Sequence, residues 1–520
     1  MNTAEFLDIS AAVVPERAAL VTDGAAKSFM EVQAEVTKMA NALQGLGIAK
    51  GDHVGVMAVN SSEYVILYYA CAKLGATFVP LNYRAKEEEL TYMVNTAEIK
   101  VLFISDRYQG LLAKIGPGLT SVEHLVALET ASGDQKHYDE VLASGSDDFV
   151  YTEVDDDDAT LIIYTSGTTA MPKGVVVTYG DLTVYVTNTM SPADPEAEHS
   201  KTLLSVPLFH IAGATAMISA IWGGRTLVVL PQFSPEDWMN AVETQGVTHS
   251  MVVPTMLKRV MDHSDFHKFS GDSLKLIAYG AAPMPYEVVR QAIDVFDCDL
   301  MNAYGQTEST SSITFLGPDD HRLEGSAEEI EMKERRLRSV GRIMDDVDVA
   351  IQAPDGAILA SGDEGEICVM SARTMKGYYK QEDATAEAIR DGWLHTGDVG
   401  FIDGDGYLFI TGRTKDLIIR GGENIAPGEI EQILEDHPKI EEAAVIGVED
   451  NEWGETVKAV IVPKHAASIT LDDVRDYCKG RLASYKAPEF LTVVGELPRN
   501  HMGKLLKNDL RKLHGNADNK

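Results

Sequence analysis

The stretch Leu161-Ile162-Ile163-Tyr164-Thr165-Ser166-Gly167-Thr168-Thr169-Ala170-Met171-Pro172-Lys173-Gly174 governs the reading of the whole chain. Its first four residues are apolar and β-prone, the mark of a short buried strand. The next ten hold four hydroxyls, two glycines and a lysine. Hydroxyls and backbone N–H groups donate to phosphate oxygens, and an ammonium offsets their charge. A strand running into such a loop predicts a polyphosphate cradle. It is not a Walker A loop, because the Gly-Lys-Ser/Thr ending is absent.

Working outward, the same strand-and-helix alternation extends in both directions. Upstream, Val54–Ala58, Thr77–Val79 and Val101–Ile104 read as strands. Between the first two, Tyr64, Leu67, Tyr68, Cys71 and Leu74 recur at helical spacing, and Gly75 supplies the stop. Cys71 falls on that apolar face and is read as a packing residue. The run Asp155–Asp158 reads as a solvated loop. Downstream come Thr202–Val206, Thr226–Leu230, Ser250–Val253 and Leu274–Tyr279, mostly separated by helical patterns. This is the signature of α/β architecture with buried, largely parallel sheets. A highly charged segment at 326–338 reads as an exposed helix or excursion. After it, Val347–Gln352, Gly365–Val369 and Tyr407–Thr411 suggest a small β module. The last hundred or so residues form a separate unit: a helix at Glu429–His437, strands Ala443–Val448 and Val457–Val462, and a helix capped by Thr470 with Asp473.

The 520 residues suit about three to four modules. Asp and Glu number 80 against 45 Lys and Arg, a net charge of −35. That acidity argues against a nucleic acid or an anionic membrane as the main partner, while leaving room for a local basic pocket. Cys71, Cys298, Cys368 and Cys478 are scattered, without metal or disulfide spacing. The N-terminus has no apolar core of a signal peptide, and no run approaches the roughly 20 apolar residues of a membrane span. The expectation is a cytoplasmic protein without integral membrane association. The oligomeric state stays open, a homodimer being one compatible assembly.

Four further segments carry chemistry. Ala303-Tyr304-Gly305-Gln306-Thr307-Glu308 sets a hydroxyl beside a carboxylate, a pair suited to Mg²⁺ and a phosphate. Asp391-Gly392-Trp393-Leu394-His395-Thr396-Gly397-Asp398 ends in a carboxylate suited to a ribose diol. Gly412-Arg413-Thr414-Lys415-Asp416 leads into Arg420-Gly421-Gly422-Glu423-Asn424-Ile425-Ala426-Pro427. Leu497-Pro498-Arg499-Asn500-His501-Met502-Gly503-Lys504 presents a lysine after a glycine turn.

In this order, from about residue 28 to 511, the motifs resemble the adenylate-forming superfamily of acyl-CoA synthetases, adenylation domains and luciferases. The Asp391–Asp398 string is most similar to fatty-acyl and aryl-CoA ligases. The resemblance implies a large N-terminal domain, 1–414, with two mainly parallel sheets and a β subdomain at about 339–412. A small mobile α+β domain, 415–520, would follow, hinged at Lys415. It implies an ATP-dependent acyl-CoA synthetase: a carboxylic acid attacks MgATP to give acyl-AMP and pyrophosphate, and coenzyme A displaces AMP. Enzymes that load a carrier-protein thiol, or an impaired nucleotide-binding homologue, are the alternatives.

By motif position, Thr165, Ser166, Gly167, Thr168, Thr169 and Lys173 would cradle the pyrophosphate end of ATP. Gly280, Ala281 and Ala282 would meet adenine, with Tyr304 stacking near it. Thr307 would contact the α-phosphate and Glu308 would hold Mg²⁺. Asp398, helped by Arg413, would bind the ribose. Lys504 would bridge the substrate carboxylate and α-phosphate, where charge builds in the transition state. Arg420, Gly421, Gly422 and Glu423 would face coenzyme A. His210 would sit near the acyl carboxylate, in a pocket with Gly213, Ala214, Met217, Tyr279, Asn302 and Ser309 as wall candidates. Three departures stand out. Ala170 replaces the family's usual glycine in the phosphate loop. Met344-Asp345 stands where Pro-Gly is usual, with no catalytic consequence evident from sequence. Asn500-His501-Met502 replaces small hydroxyl residues before Gly503-Lys504.

Overall fold

The computed structural model describes residues 1–165, 171–421, 423–450, 453–464, 467–499 and 505–515, with only the backbone of Glu423 and Asn424. Helix ends follow local sequence. Ser28 and Glu31 form a reciprocal capping box at the start of Phe29–Gly45. Ser61 caps Ser62–Leu74, and Gly75 closes it in the left-handed conformation. Thr470 and Asp473 form the expected capping box.

A seven-stranded sheet runs in the order Lys136–His137, His124–Ala127, Ile99–Ile104, His53–Met57, Thr77–Pro80, Ala159–Thr165, Lys173–Thr178. Its strands pair in parallel except the last two, which form a hairpin with Thr165 opposite Lys173. The second sheet has 14 strands. Its parallel part contains Ala18–Thr22, Thr226–Val229, Lys201–Leu204, His249–Val252, Leu276–Gly280 and Asp299–Gln306. Beyond Asp299–Gln306 it turns antiparallel through Ser311–Leu316, Gly341–Ile343, Tyr407–Arg413, Trp393–Ile402, Gly365–Ser371 and Val347–Gln352. The β module expected from sequence is therefore hydrogen-bonded onto the edge of the parallel sheet.

The helix Ser62–Leu74 corrects a one-faced expectation. Val65, Ile66, Tyr69 and Ala70, off the predicted stripe, are fully buried as well. The helix packs on Phe29–Gly45 and reaches Thr77–Pro80 and Ala18–Thr22, strands of both sheets. A helix enclosed on all sides needs apolar residues all round. Its one buried charge, Lys73, is neutralised by Asp8 at 2.9 Å. The charged segment at 326–338 is an ordered helix, Ala327–Arg336, with no buried residue. Arg335 pairs with Asp403 and Arg336 with Asp320, tying it down. Asp155–Asp158 is more than solvated loop: Asp158 pairs with Lys50, Asp157 with Lys376 and Asp156 with the N-terminal amine.

From Ile418 onward the strands Ile418–Arg420, Glu423–Ile425, Ile440–Asp450, Gly454–Pro463 and Phe490–Val493 form their own five-stranded sheet. It is covered by Pro427–Glu435 and Leu471–Cys478 over a separate apolar core that includes Ile430, Leu434 and Val474. Among the described residues, no helix is long and apolar enough to cross a membrane.

Candidate functional site

Parallel sheets leave their strand C-termini open for ligands, and the chemistry-bearing segments gather there. The strand Leu276–Gly280 ends in register with its neighbour, Tyr279 opposite Asn302 and Gly280 opposite Ala303. The chain then turns through Ala281, whose φ of 64° is left-handed. Ala281 is exposed and Ala282 half-buried, so this strand end presents small side chains and backbone.

Asp398 is the polar hub. It lies in Trp393–Ile402, directly opposite Arg413 on the neighbouring strand. Its Oδ1 is 2.7 Å from Arg413 Nε. Its Oδ2 accepts from Tyr304 Oη at 2.7 Å and from Gln306 Nε2 at 3.2 Å. Gln306 also donates to the Thr396 carbonyl at 3.0 Å. Burial and the adjoining Asp398 charge both push the Tyr304 phenol above its ordinary range, so it stays a neutral donor. Three segments far apart in sequence thus converge on one carboxylate that is only 4% exposed.

The turn carrying Asp398 has its own support. Glu366 Oε1 accepts from Gly397 N at 3.1 Å, and Oε2 lies 2.8 Å from His395 Nδ1. Cys368 Sγ is 3.4 Å from the same nitrogen. Carboxylate, thiol and imidazole lie within 4.8 Å of one another. Hydrogen bonding accounts for the grouping: burial and Glu366 push the Cys368 thiol up to about 12, leaving it protonated.

Next to the hub, Thr307–Ser309 is a single 3₁₀ turn. The Ser309 hydroxyl is held locally: it accepts from Gln306 N at 3.1 Å and shares its one hydrogen between the carbonyls of Gln306 and Ser311, 3.1 and 3.0 Å away. Glu308 Oε1 accepts from Tyr378 Oη at 3.0 Å. Lys173 Nζ sits 4.7 Å from the centre of the Tyr378 ring. The segment carrying that ring is stitched to the strand Lys173–Thr178 by Tyr379 N to Gly174 O at 2.7 Å and Val176 N to Gly377 O at 3.1 Å. Lys173, a phenol and a carboxylate thus stand in one row. Ser166, Gly167, Thr168, Thr169 and Ala170 lie outside the described residues, as do Gly422 and Lys504.

His210 is the N-cap residue of the helix Ile211–Trp222, whose first turn carries no acid. Gly213 is there for space: a Cβ would lie 2.3 Å from the Pro207 carbonyl oxygen. Ala214 and Met217 are buried on the same helix. Thr215 Oγ1, 3.2 Å from Ser311 Oγ, ties this helix to the turn after Glu308. Tyr279 is buried, its hydroxyl 2.8 Å from His321 Nε2, beside buried Asn302. Arg420 Nη1 donates to Tyr485 O at 2.5 Å, and its guanidinium also pairs with Glu489. Lys415 is exposed in the turn Thr414–Asp416.

Three positioning groups escaped the sequence reading. Asn60, buried, donates to the carbonyls of Val206 and Leu230 and accepts from Leu208 N at 2.9 Å, holding the segment before His210. Glu366 holds the Asp398 turn, and Arg373 holds the turn after Glu308. Each acts on residues distant in sequence, so no periodicity or local motif marks it.

The chain matches the family model described as AMP-binding enzyme over residues 7–379, and the AMP-binding enzyme C-terminal domain over 429–504. It is 33% identical over 503 residues to a feruloyl-CoA synthase of an Amycolatopsis species, covering 96% of each chain. It is 32% identical over 515 residues to an indoleacetate–CoA ligase of Aromatoleum aromaticum, covering 99% and 98%. Among solved structures, an o-succinylbenzoate CoA synthetase of Bacillus subtilis, in complex with its acyl-adenylate intermediate, superposes with a TM-score of 0.82 at 30% identity over 97% of each chain.

Proposed function

This chain belongs to the AMP-binding enzyme family and is an AMP-forming acyl-CoA synthetase, and from that premise we propose how its residues divide the work. The observation carrying the assignment is the convergence of Tyr304, Gln306 and Arg413 on Asp398, beside the row Lys173, Tyr378 and Glu308.

Asp398 takes the ribose hydroxyls, and Tyr304 lines the adenine side together with Gly280, Ala281 and Ala282. The loop from Thr165 to Lys173 wraps the β- and γ-phosphates. Glu308, aimed by Tyr378, and the adjoining Thr307 hydroxyl are hard oxygen donors, which fits Mg²⁺ held jointly by protein, water and phosphate. When bound, that ion supplies charge neutralisation on the phosphates. The acid enters with its carboxylate near His210, where the N-terminus of a 12-residue helix favours an anion. Its tail extends among Gly213, Ala214, Met217, Tyr279, Asn302 and Ser309.

A carboxylate oxygen then bonds to the α-phosphorus while the bond to the bridging oxygen breaks, releasing pyrophosphate. Lys504 stabilises the charge that accumulates on the α-phosphoryl oxygens. In the second half-reaction the coenzyme A sulfur bonds to the acyl carbon, its proton is lost, and AMP leaves. Rotation of the domain after Lys415 withdraws Lys504 and brings Arg420, Gly421, Gly422 and Glu423 to the thiol channel. In support, Lys415 is exposed, and surface pairs such as Arg338–Asp436 and Lys258–Glu441 bridge the two units. Pairs of this kind are worth about 0–1 kcal/mol each and break readily. A cytoplasmic location accords with the need for ATP and coenzyme A.

The named relatives are ligases of ferulate, indoleacetate and o-succinylbenzoate, and this chain is assigned an aryl or fatty acid. The test is coenzyme A-dependent AMP release at fixed MgATP across cinnamate-type, arylacetic, succinylbenzoic and fatty acids. One strongly preferred acid supports the assignment and names the class. No AMP with any acid would overturn it.

A further inference from the structure

We propose that Arg373 is a positioning residue for adenylate formation: its buried guanidinium locks the turn that follows Thr307-Glu308 and thereby aims Glu308. The inference rests on the assignment of Glu308 to Mg²⁺.

Arg373 is fully buried. A buried charge persists only when paired and hydrogen-bonded. Its Nε is 2.6 Å from Asp346 Oδ2, and its Nη2 is 3.4 Å from Asp346 Oδ1. The remaining donors do not go to another acid. Nη1 donates to the Ser309 carbonyl at 2.7 Å and reaches the Thr310 carbonyl at 3.4 Å. The guanidinium carbon lies 5.3 Å from the centre of the Tyr185 ring.

The turn it grips is strained. Thr310 and Ser311 follow one another at φ of 49° and 76°, a region side chains other than glycine enter only against a steric cost. The Arg373 fork supplies the donors that the Ser309 and Thr310 carbonyls of this turn accept. The same segment continues along the turn. Met375 N donates to the Glu308 carbonyl at 2.8 Å, and Tyr378 Oη donates to its carboxylate at 3.0 Å. Residues 373–378 thus hold Glu308 by its backbone, its side chain and the turn beyond it.

This also gives the Met344-Asp345 departure a physical meaning. Met344 Sδ lies 3.4 Å from Arg373 Nη2, and Asp346 carries the counter-charge. The stretch that lacks the usual Pro-Gly is the stretch that receives the arginine.

Arg373→Lys tests this with the charge retained. A lysine can pair with Asp346 but cannot fork to two carbonyls as well. Asp346→Asn provides a second route with the arginine kept. In the full chain, pyrophosphate release is measured against Mg²⁺ concentration, alongside thioester formation from supplied acyl-adenylate, with Glu308→Gln as the reference. The expected result for Arg373→Lys is a loss of roughly ten- to a hundredfold in pyrophosphate release, a several-fold rise in half-saturating Mg²⁺, and near-normal thioester formation. Asp346→Asn should move both quantities the same way by less. Equal loss in both half-reactions, or an unchanged Mg²⁺ dependence while Glu308→Gln shifts it, overturns the proposal. If Glu308→Gln itself leaves the Mg²⁺ dependence alone, the assignment of Glu308 fails first and the inference falls with it.

Discussion

Gly421→Ala perturbs the loop proposed to face coenzyme A, and its cost can be worked from two local terms. Gly421 has a φ of 59°, which costs an alanine about 1–2 kcal/mol. Its Cβ would lie 2.8 Å from Trp453 Cε3 and 3.3 Å from Cζ3. The indole is 46% exposed, but Arg420 stacks 5.9 Å from a Trp453 ring centre, and Gly421 N donates to Trp453 O at 2.7 Å. Displacing a half-exposed ring adds about 1 kcal/mol, the low end of overpacking costs. The sum, about 2–3 kcal/mol, must be supplied whenever the loop returns to its working shape, a slowing of roughly 30- to 150-fold. The assay is acyl-CoA formation from supplied acyl-adenylate, set against pyrophosphate release from ATP and acid. Only the first should fall. In a Trp453→Ala background the ring term disappears, so a double-mutant cycle should show coupling of about 1 kcal/mol. Equal slowing of both half-reactions, or no coupling to Trp453, would refute the reasoning.

Lys504→Ala should abolish pyrophosphate release yet leave thioester formation from acyl-adenylate largely intact; parallel loss would sink the two-conformation scheme. Asp398→Asn removes the charge facing Tyr304, Gln306 and Arg413. With Arg413 about a third exposed, about 2 kcal/mol is expected, seen calorimetrically as a roughly 30-fold weaker affinity for AMP; unchanged affinity would remove Asp398 from the nucleotide site. His249, in the strand His249–Val252, is held down to about 4 by burial and the nearby cations Arg225 and Lys275. Its folded-state value is depressed below the ordinary 6.5, so the unfolded chain binds the extra proton. Stability should therefore fall as pH drops from about 6.5 to 4, by about 2 kcal/mol after screening of a partly exposed ring. Urea midpoints should show His249→Gln losing less over that window than wild type; parallel curves would contradict the sign.

How much was legible differs with the range of the interaction. The strand into Thr165, the stop at Gly75 and the Thr470 capping box are local: neighbouring residues decide them, so spacing and residue type suffice. The ordered motifs likewise mark Tyr304, Glu308, Asp398 and Arg413 in the sequence itself. Their mutual geometry was not readable. That Asp398 faces Arg413 depends on strand register. That Gln306 belongs to the same hub depends on one sheet bringing together Asp299–Gln306 and Trp393–Ile402, about 90 residues apart in the chain.

The enclosed helix Ser62–Leu74 shows the limit from the packing side. Its periodicity exposed one apolar face, while the arrival of both sheets decided that the other would be buried. Arg373 shows it from the electrostatic side. By composition an arginine in a Ser-Ala-Arg-Thr stretch belongs in solvent. Only a tertiary structure that brings Asp346 and the carbonyls of Ser309 and Thr310 around it can repay the loss of water. Sequence alone determined the order of the parts, because loops, caps and turns are short-range chemistry, and pointed to the reaction class through the family resemblance of its ordered motifs. The tertiary structure decided which charges are buried and which side chains aim the reacting groups, because those depend on partners tens to hundreds of residues away.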